Sequence, residues 1–296
     1  MTDRPRAAIL WMSGSITAFT AMAVAGREVA SRHDTFEIMA ARSAIGLALV
    51  LGVGAVLGRL GQISMARLGG HAVRNLVHFS GQNLWFAALG LLPLAQVIAL
   101  EFTSPLWVVL LAPLILGERL TRWRLIAAAL GFAGILIVAR PDVGHINPGV
   151  LAAAGAALCF ALTMLLTKAL TRGEALITIL FWLTLMQLGL GLGTALADGQ
   201  VRLPDAQSLP WLCLIGVTGV VAHLCLTMAL SLAPAGQIVP VDFVRLPLIA
   251  VVGALFYAEP IDLRVALGGS VILAAIWLNL TRGAASPAID SATNPR

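Results

Sequence analysis

The chain is short of charge, lysine, tyrosine and cysteine, and these shortages exclude several classes of protein. Charged residues make up 11% of its 296 positions, against about 25% in an ordinary soluble domain. With 59% hydrophobic residues, there is too little polar surface to clothe a water-soluble fold. The one lysine, Lys168, does not follow a glycine-rich loop. The missing P-loop argues against ATP-driven pumping by this chain alone. HExxH and GxSxG are missing as well, so the metalloprotease and serine-hydrolase motifs are absent and the chain does not read as an enzyme. Cys159, Cys213 and Cys225 lie on apolar stretches with no CxxC spacing. They read as packing residues, and neither metal nor cofactor is expected.

What is abundant is apolar sequence. A membrane-spanning helix needs roughly 20 mostly apolar residues. Ten such stretches fall near 7–26, 36–58, 73–91, 94–116, 125–139, 148–170, 175–197, 209–231, 235–257 and 264–281. The expected fold is therefore all-α: a polytopic protein of ten transmembrane helices, whose lipid partner is the bilayer. The polar segment 283–296 reads as a cytoplasmic tail. The first stretch resembles a signal peptide, with arginines before it and "AVAG" after it, but its place in the repeat described below argues that it is retained.

The net charge of +5 does not point to nucleic acid, because the arginines sit in short turns rather than in one patch. They read as topology signals. With the N-terminus inside, twelve basic residues (Arg4, Arg6, Arg59, Arg67, Arg74, Arg119, Arg122, Arg124, Lys168, Arg172, Arg282, Arg296) face the cytoplasm. Five (Arg27, Arg32, Arg140, Arg202, Arg264) face outward. This places both termini on the cytoplasmic side of the cell's inner membrane. Arg42 and Arg245 fall within helices and stand outside this count.

Shifted by 141 residues, the sequence partly matches itself. "LGLLPLAQVIALEF" (89–102) falls on "LSLAPAGQIVPVDF" (230–243). Pro93 meets Pro234, Gln96 meets Gln237, Glu101 meets Asp242, Phe19 meets Phe160, Arg27 meets Lys168 and Glu118 meets Glu259. Such polar matches carry weight because these residues are rare in membrane helices. The expected units are 7–140 and 148–281, each of five helices. Five is odd, so the second unit enters the membrane in the opposite sense. That is the inverted-repeat plan of many secondary transporters, with the substrate site where the halves meet.

Several residues are candidates for that site. A carboxylate in the bilayer core costs at least ~2.5–3.5 kcal/mol, so Glu101 and its counterpart Asp242 point to a wet or paired environment. Asn75, His78, Gln82 and Trp85 are spaced 3, 4 and 3 apart and share a helical face. His223, the counterpart of Gln82, sits four residues before Thr227. Asp242 and Arg245, three apart, are able to pair. Pro105 frees the carbonyl of Glu101, and Pro240 and Pro247 free those of Gly236 and Phe243. The fourth and ninth spans are thus expected to kink. Gln96, Gln237 and Trp107 complete the set as amide acceptors and an aromatic wall.

The plainer readings are structural. His78, Gln82 and His223 can serve as interhelical glue, and Asp242 with Arg245 as a satisfied ion pair. Most tryptophans fit an interfacial belt. Glu118 and Glu259 read as turn and capping residues.

"FTSPLWVVLLAPLILGERLTRWRLIAAALGFAGILIV" (102–138) resembles the end of an EamA repeat, the unit of the drug/metabolite transporter superfamily. The second copy keeps Pro247, Gly253 and Glu259 but has Ala258 before that glutamate and Pro260 after it. The resemblance covers nearly the whole chain. It implies a ten-helix exporter of small metabolites with a cavity formed mainly by spans 1, 3, 4, 6, 8 and 9, and it extends to the YddG-type amino acid exporters.

The leading expectation is a secondary exporter of aromatic and other neutral amino acids, or similar metabolites, by alternating access. Glu101, freed carbonyls and Gln96 or Gln237 would take the ammonium; Arg245, His78, Gln82 and His223 would take the carboxylate. The alternatives are export of lipophilic cations, in which Glu101 and aromatic rings dominate, and proton-coupled antiport of another metabolite class through Glu101, Asp242, His78 and His223.

Overall fold

The structure, a computed structural model, describes residues 5–116, 122–139, 147–170, 173–197, 202–232, 239–260 and 262–282. Gln237, the Glu118 turn and the 283–296 tail lie outside the described residues. Among the described residues there are eleven α-helices and no strand. They are α1 (Pro5–Val29), α2 (Thr35–Val56), α3 (Leu68–Leu91), α4 (Leu94–Glu101), α5 (Ser104–Leu116), α6 (Arg122–Ala139), α7 (Pro148–Leu170), α8 (Leu176–Ala197), α9 (Leu209–Leu232), α10 (Arg245–Tyr257) and α11 (Leu263–Arg282).

Five of these, α1, α2, α7, α8 and α9, are long and apolar enough to cross a membrane. The others are shorter, save α3. At 24 residues α3 is one residue shorter than α1, but it carries His71, Arg74, Asn75, His78 and Gln82, all buried. Leu10, Val56, Leu114, Leu255 and Phe256 face outward instead. Polar groups inside and large apolar side chains outside is the pattern lipid selects, since each exposed leucine would cost about 1.5–3 kcal/mol in water. The chain is a multi-pass membrane protein.

Local chemistry sets the ends and breaks. Asp34 caps α2: its carboxylate accepts from the backbone of Phe36 and Glu37, both at 2.8 Å, and Glu37 returns a bond to the Asp34 amide. The expected fourth span, 94–116, is two helices. α4 stops at Glu101, where Pro105 can supply no N–H, and α5 restarts at Ser104. In the expected ninth span, a 3-10 segment over Val239–Val244 precedes α10. The two breaks occupy matching places in the two halves.

Packing joins the two halves. α1 lies along α9 and α3 along α7, while α2 lies along α8 and α6 along α11. Gly191, Gly46 and Gly54 or their neighbours meet as Ala40–Gly191, Gly46–Thr184 and Gly54–Ile177. One number rises as the other falls, so α2 and α8 run antiparallel. Gly134–Ile272 and Val138–Gly268 give α6 and α11 the same relation. Glycine is needed at Gly134 and Gly268, where each backbone closes on the other helix's carbonyl.

Candidate functional site

The two helix breaks meet in the protein's interior. At the first, Glu101 ends α4. At the second, Asp242 lies in the 3-10 segment and Arg245 opens α10. Arg245 donates to Glu101 Oε1 at 2.8 Å and to Asp242 Oδ2 at 3.1 Å. Its guanidinium is sandwiched between Phe19 and Phe102, with ring centroids 5.2 and 5.0 Å away. The other oxygen of Glu101 accepts from Trp85 Nε1 at 2.8 Å. Glu101 thus has no partner on its own helix but is held by α3 and by the second half of the chain. Oδ1 of Asp242 and Nε of Arg245 are buried without partners.

A second group lies across Phe19. That ring packs edge-on against His223 at 5.7 Å, and His223 packs edge-on against His78 at 5.4 Å. Phe160, the repeat counterpart of Phe19, stands 6.2 Å from His78. Neither ring nitrogen of His78 has a partner, nor do Nε2 of His223, Oε1 of Gln82 or the hydroxyl of Thr163. A buried polar group left unpaired costs roughly 1–3 kcal/mol. So many together make this group the candidate binding site.

Two arginines border these imidazoles. Arg74, one turn before His78 on α3, is 3% exposed. It donates to Thr167 at 3.0 Å and to Asn75 at 3.2 Å. Read as a cytoplasmic topology signal, Arg74 is in fact interior; removing it leaves eleven basic residues against five. Arg42 on α2 is 5% exposed and its Nε is unpartnered. Both escape a sequence reading that takes arginines as topology markers or sets them aside. The available signal was the stripe itself, since Arg74, His78 and Gln82 recur every fourth residue.

Other expected site residues face elsewhere. Gln96 donates to the Val138 carbonyl at 3.1 Å, tying α4 to α6. Trp107 packs edge-on against Phe132 on α6 at 5.0 Å. Glu259 does not cap its own helix. It accepts from the Leu94 amide at 2.9 Å, capping α4, and pairs with Arg27 at 2.5 Å. Arg27 also donates to the carbonyls of Leu89 and Leu92. This network closes the end of the bundle where α1, α3, α4 and α10 converge. Beside it opens a cavity of about 410 Å3 lined by Arg27, Ser31, Pro93 and Glu259.

Among the described residues the protein is an all-helical, lipid-facing bundle with charged groups at mid-helix breaks, and its family and relatives make it a membrane transporter. The chain belongs to the EamA-like transporter family, which it matches over residues 6–140 and 147–281. It is 35% identical over 205 residues to a riboflavin transporter of Rhizobium johnstonii, covering 69% of this chain and 68% of that one. A riboflavin transporter of Vibrio cholerae is 30% identical, over 79% and 78% of the two chains. An S-adenosylmethionine uptake transporter of Rickettsia conorii is 24% identical, over 89% and 88%. A solved crystal structure shares the fold, with a TM-score of 0.69 and 19% identity over 96% of this chain and 100% of that one.

Proposed function

We propose that the chain is a secondary carrier for a planar, acceptor-rich metabolite of the riboflavin kind, moved by alternating access between two inverted five-helix units, 7–140 and 148–281. The observation that carries this reading is the surplus of unspent buried donors between aromatic rings. His78, His223 and Arg245 carry unpartnered nitrogens beside Phe19 and Phe160, and Arg245 shares Glu101 with Trp85. A heteroaromatic ligand with carbonyl acceptors satisfies both features. The riboflavin transporters related to this chain support the same substrate class. The antiparallel counterparts α2 with α8 and α6 with α11 support the inverted plan of ten spans, and the arginine excess supports cytoplasmic termini.

Free amino acids are the second reading. Asp242 Oδ1 is the specific observation in their favour, as a free acceptor for an ammonium group. Lipophilic cations fit poorly beside the guanidiniums of Arg42 and Arg74.

Counterflow in proteoliposomes separates these readings. Vesicles loaded with unlabelled riboflavin are expected to accumulate labelled riboflavin without a pH gradient, and not labelled threonine or phenylalanine. Exchange of the amino acids alone would replace the first reading with the amino acid carrier. A requirement for a pH gradient would add proton coupling. Vesicles of known protein orientation, assayed from each side, report whether net movement is uptake or export.

A further inference from the structure

We propose that Gln82 reads an imide edge on the carried ring, pairing with the ring N–H and one of its flanking carbonyls, and that Thr163 takes the other carbonyl. This deepens the carrier reading above and rests on it. The substrate class narrows to heterocycles of the pyrimidinedione kind, which a flavin ring carries at one end.

Three helices bring the groups together. On α3, His78, Gln82 and Trp85 share one face. The indole N–H of Trp85 is spent on Glu101, which leaves Gln82 and His78 to serve a ligand. α7 runs antiparallel to α3: the contacts Arg74–Thr167, Gly81–Cys159 and Leu84–Gly155 descend along α7 as they climb α3. Thr163 thereby comes level with His78. Phe160 lies beside the turn that carries Gln82, where a methyl group on Gly81 would stand 3.2 Å from its ring. His223 of α9 closes the third side, 5.4 Å from His78. These two imidazoles touch here and belong to opposite repeat units, so parting of the units opens the space between them.

Donors alone do not describe this group. Gln82 and Thr163 are buried, and neither Gln82 Oε1 nor the Thr163 hydroxyl has a partner. An amide oxygen can only accept. A ligand with acceptors alone would leave it orphaned, so the occupant donates as well. A primary amide meets an N–H and an adjacent carbonyl through two parallel bonds: Oε1 accepts from the ring N–H, and Nε2 donates to the carbonyl. Glutamine reads the edge of adenine by the same two-point logic. The hydroxyl of Thr163 then donates to the second carbonyl, and Phe160 offers a face to the ring. A free amino acid presents no such edge.

The test uses the full-length protein in lipid nanodiscs, with binding followed by quenching of flavin fluorescence. Riboflavin is compared with 3-methylriboflavin, whose methyl group replaces the imide hydrogen. The wild type is expected to bind the methyl derivative at least about tenfold more weakly, because the orphaned amide is then left unpaired. Gln82→Ala removes the amide and leaves room for the methyl group. It is expected to weaken riboflavin by about tenfold and to bring the two ligands to equal affinity. Thr163→Val is expected to weaken both ligands by the same factor and keep the preference, which a misfolded protein could not do. A wild type without the preference, or a Gln82→Ala protein that retains it, overturns the role of Gln82 even where riboflavin is carried. Should riboflavin not bind, uridine and 3-methyluridine pose the same choice on a smaller ring, read as shifts in unfolding temperature. A Gln82-dependent preference for uridine leaves the edge standing and removes the flavins. No preference there overturns both.

Discussion

Arg245 holds two carboxylates at once, so the three members of its cluster are unequal under substitution. Arg245→Gln leaves Glu101 and Asp242 facing each other without a cation. Breaking a buried pair in this way costs ~3–5 kcal/mol. Glu101→Gln leaves Arg245 with Asp242 and keeps an acceptor for Trp85, so a smaller loss is expected. Asp242→Asn, at the most exposed of the three, is expected to cost least. Unfolding in a denaturant series measures the order, and the double variant Glu101→Gln/Arg245→Gln should be much less than additive. Equal losses would mean that the cluster does not act as a unit. At this scale the sequence was readable where a residue type is rare in lipid. Glu101, Asp242 and Arg245 drew attention for that reason, and the 141-residue repeat placed the first two in matching positions. Their joint engagement by one arginine depends on how the halves pack, which no local pattern encodes. Arg42 and Arg74 were harder, because an arginine in a membrane chain usually marks a loop. His78 was readable as interhelical glue or as a cavity-lining group, but not its packing against the rings of His223 and Phe160, which depends on how the halves meet.

Among the elements, α10 ends at a point where one atom matters. Ala258 caps it with φ 51°, in the left-handed region, which costs an L-residue roughly 1 kcal/mol or more. In the first repeat the matching motif has glycine, Gly117 before Glu118. Ala258→Gly is therefore expected to stabilise the protein by about 1 kcal/mol, read as a raised unfolding midpoint. A lowered midpoint would show that the alanine methyl group makes a contact worth more than the strain. Glu259 follows at once and works on a different helix, as the N-terminal cap of α4. Glu259→Ala removes the cap and the Arg27 pair together, whereas Glu259→Gln retains an acceptor for Leu94. The alanine variant is expected to be the less stable by about 1 kcal/mol, the usual worth of a cap. The sequence located this residue as a turn and capping residue but did not show which helix it caps. Capping across the bundle is a tertiary property, and only the approach of α4 to the end of α10 creates it. The breaks themselves were legible, because a proline removes a donor wherever it stands. The 3-10 form of residues 239–244 was not, since the freed backbone can settle in several ways.

For the whole molecule, Arg27 and Glu259 tie the start of the chain to its last quarter. Arg27 ends α1 and Glu259 follows α10, so their bond joins the two repeat units at one end of the bundle. Arg27 further grips the carbonyls of Leu89 and Leu92 at the end of α3, and its guanidinium stands 5.9 Å over the Tyr257 ring. Under the alternating-access reading proposed above, this end parts when substrate passes. The network then acts as a latch that biases the population toward the closed form. Loss of the ion pair is expected to shift the balance by ~1.4 kcal/mol, which is about tenfold in the open population. Met22, buried on α1 just inside the latch, reports this shift. In a background without Cys159, Cys213 and Cys225, Met22→Cys should react slowly with a membrane-impermeant thiol reagent applied from the latch side. Adding Arg27→Gln should speed the reaction about tenfold, and Arg32→Gln, at an exposed pair with Asp205, should leave it unchanged. Saturating substrate should alter the rate in the wild type and have less effect in Arg27→Gln, whose closed state is already weakened. If Arg27→Gln labels no faster than the wild type, the contacts of Leu94 and its core neighbours hold this end shut by packing alone. The ion pair would then contribute stability without controlling access.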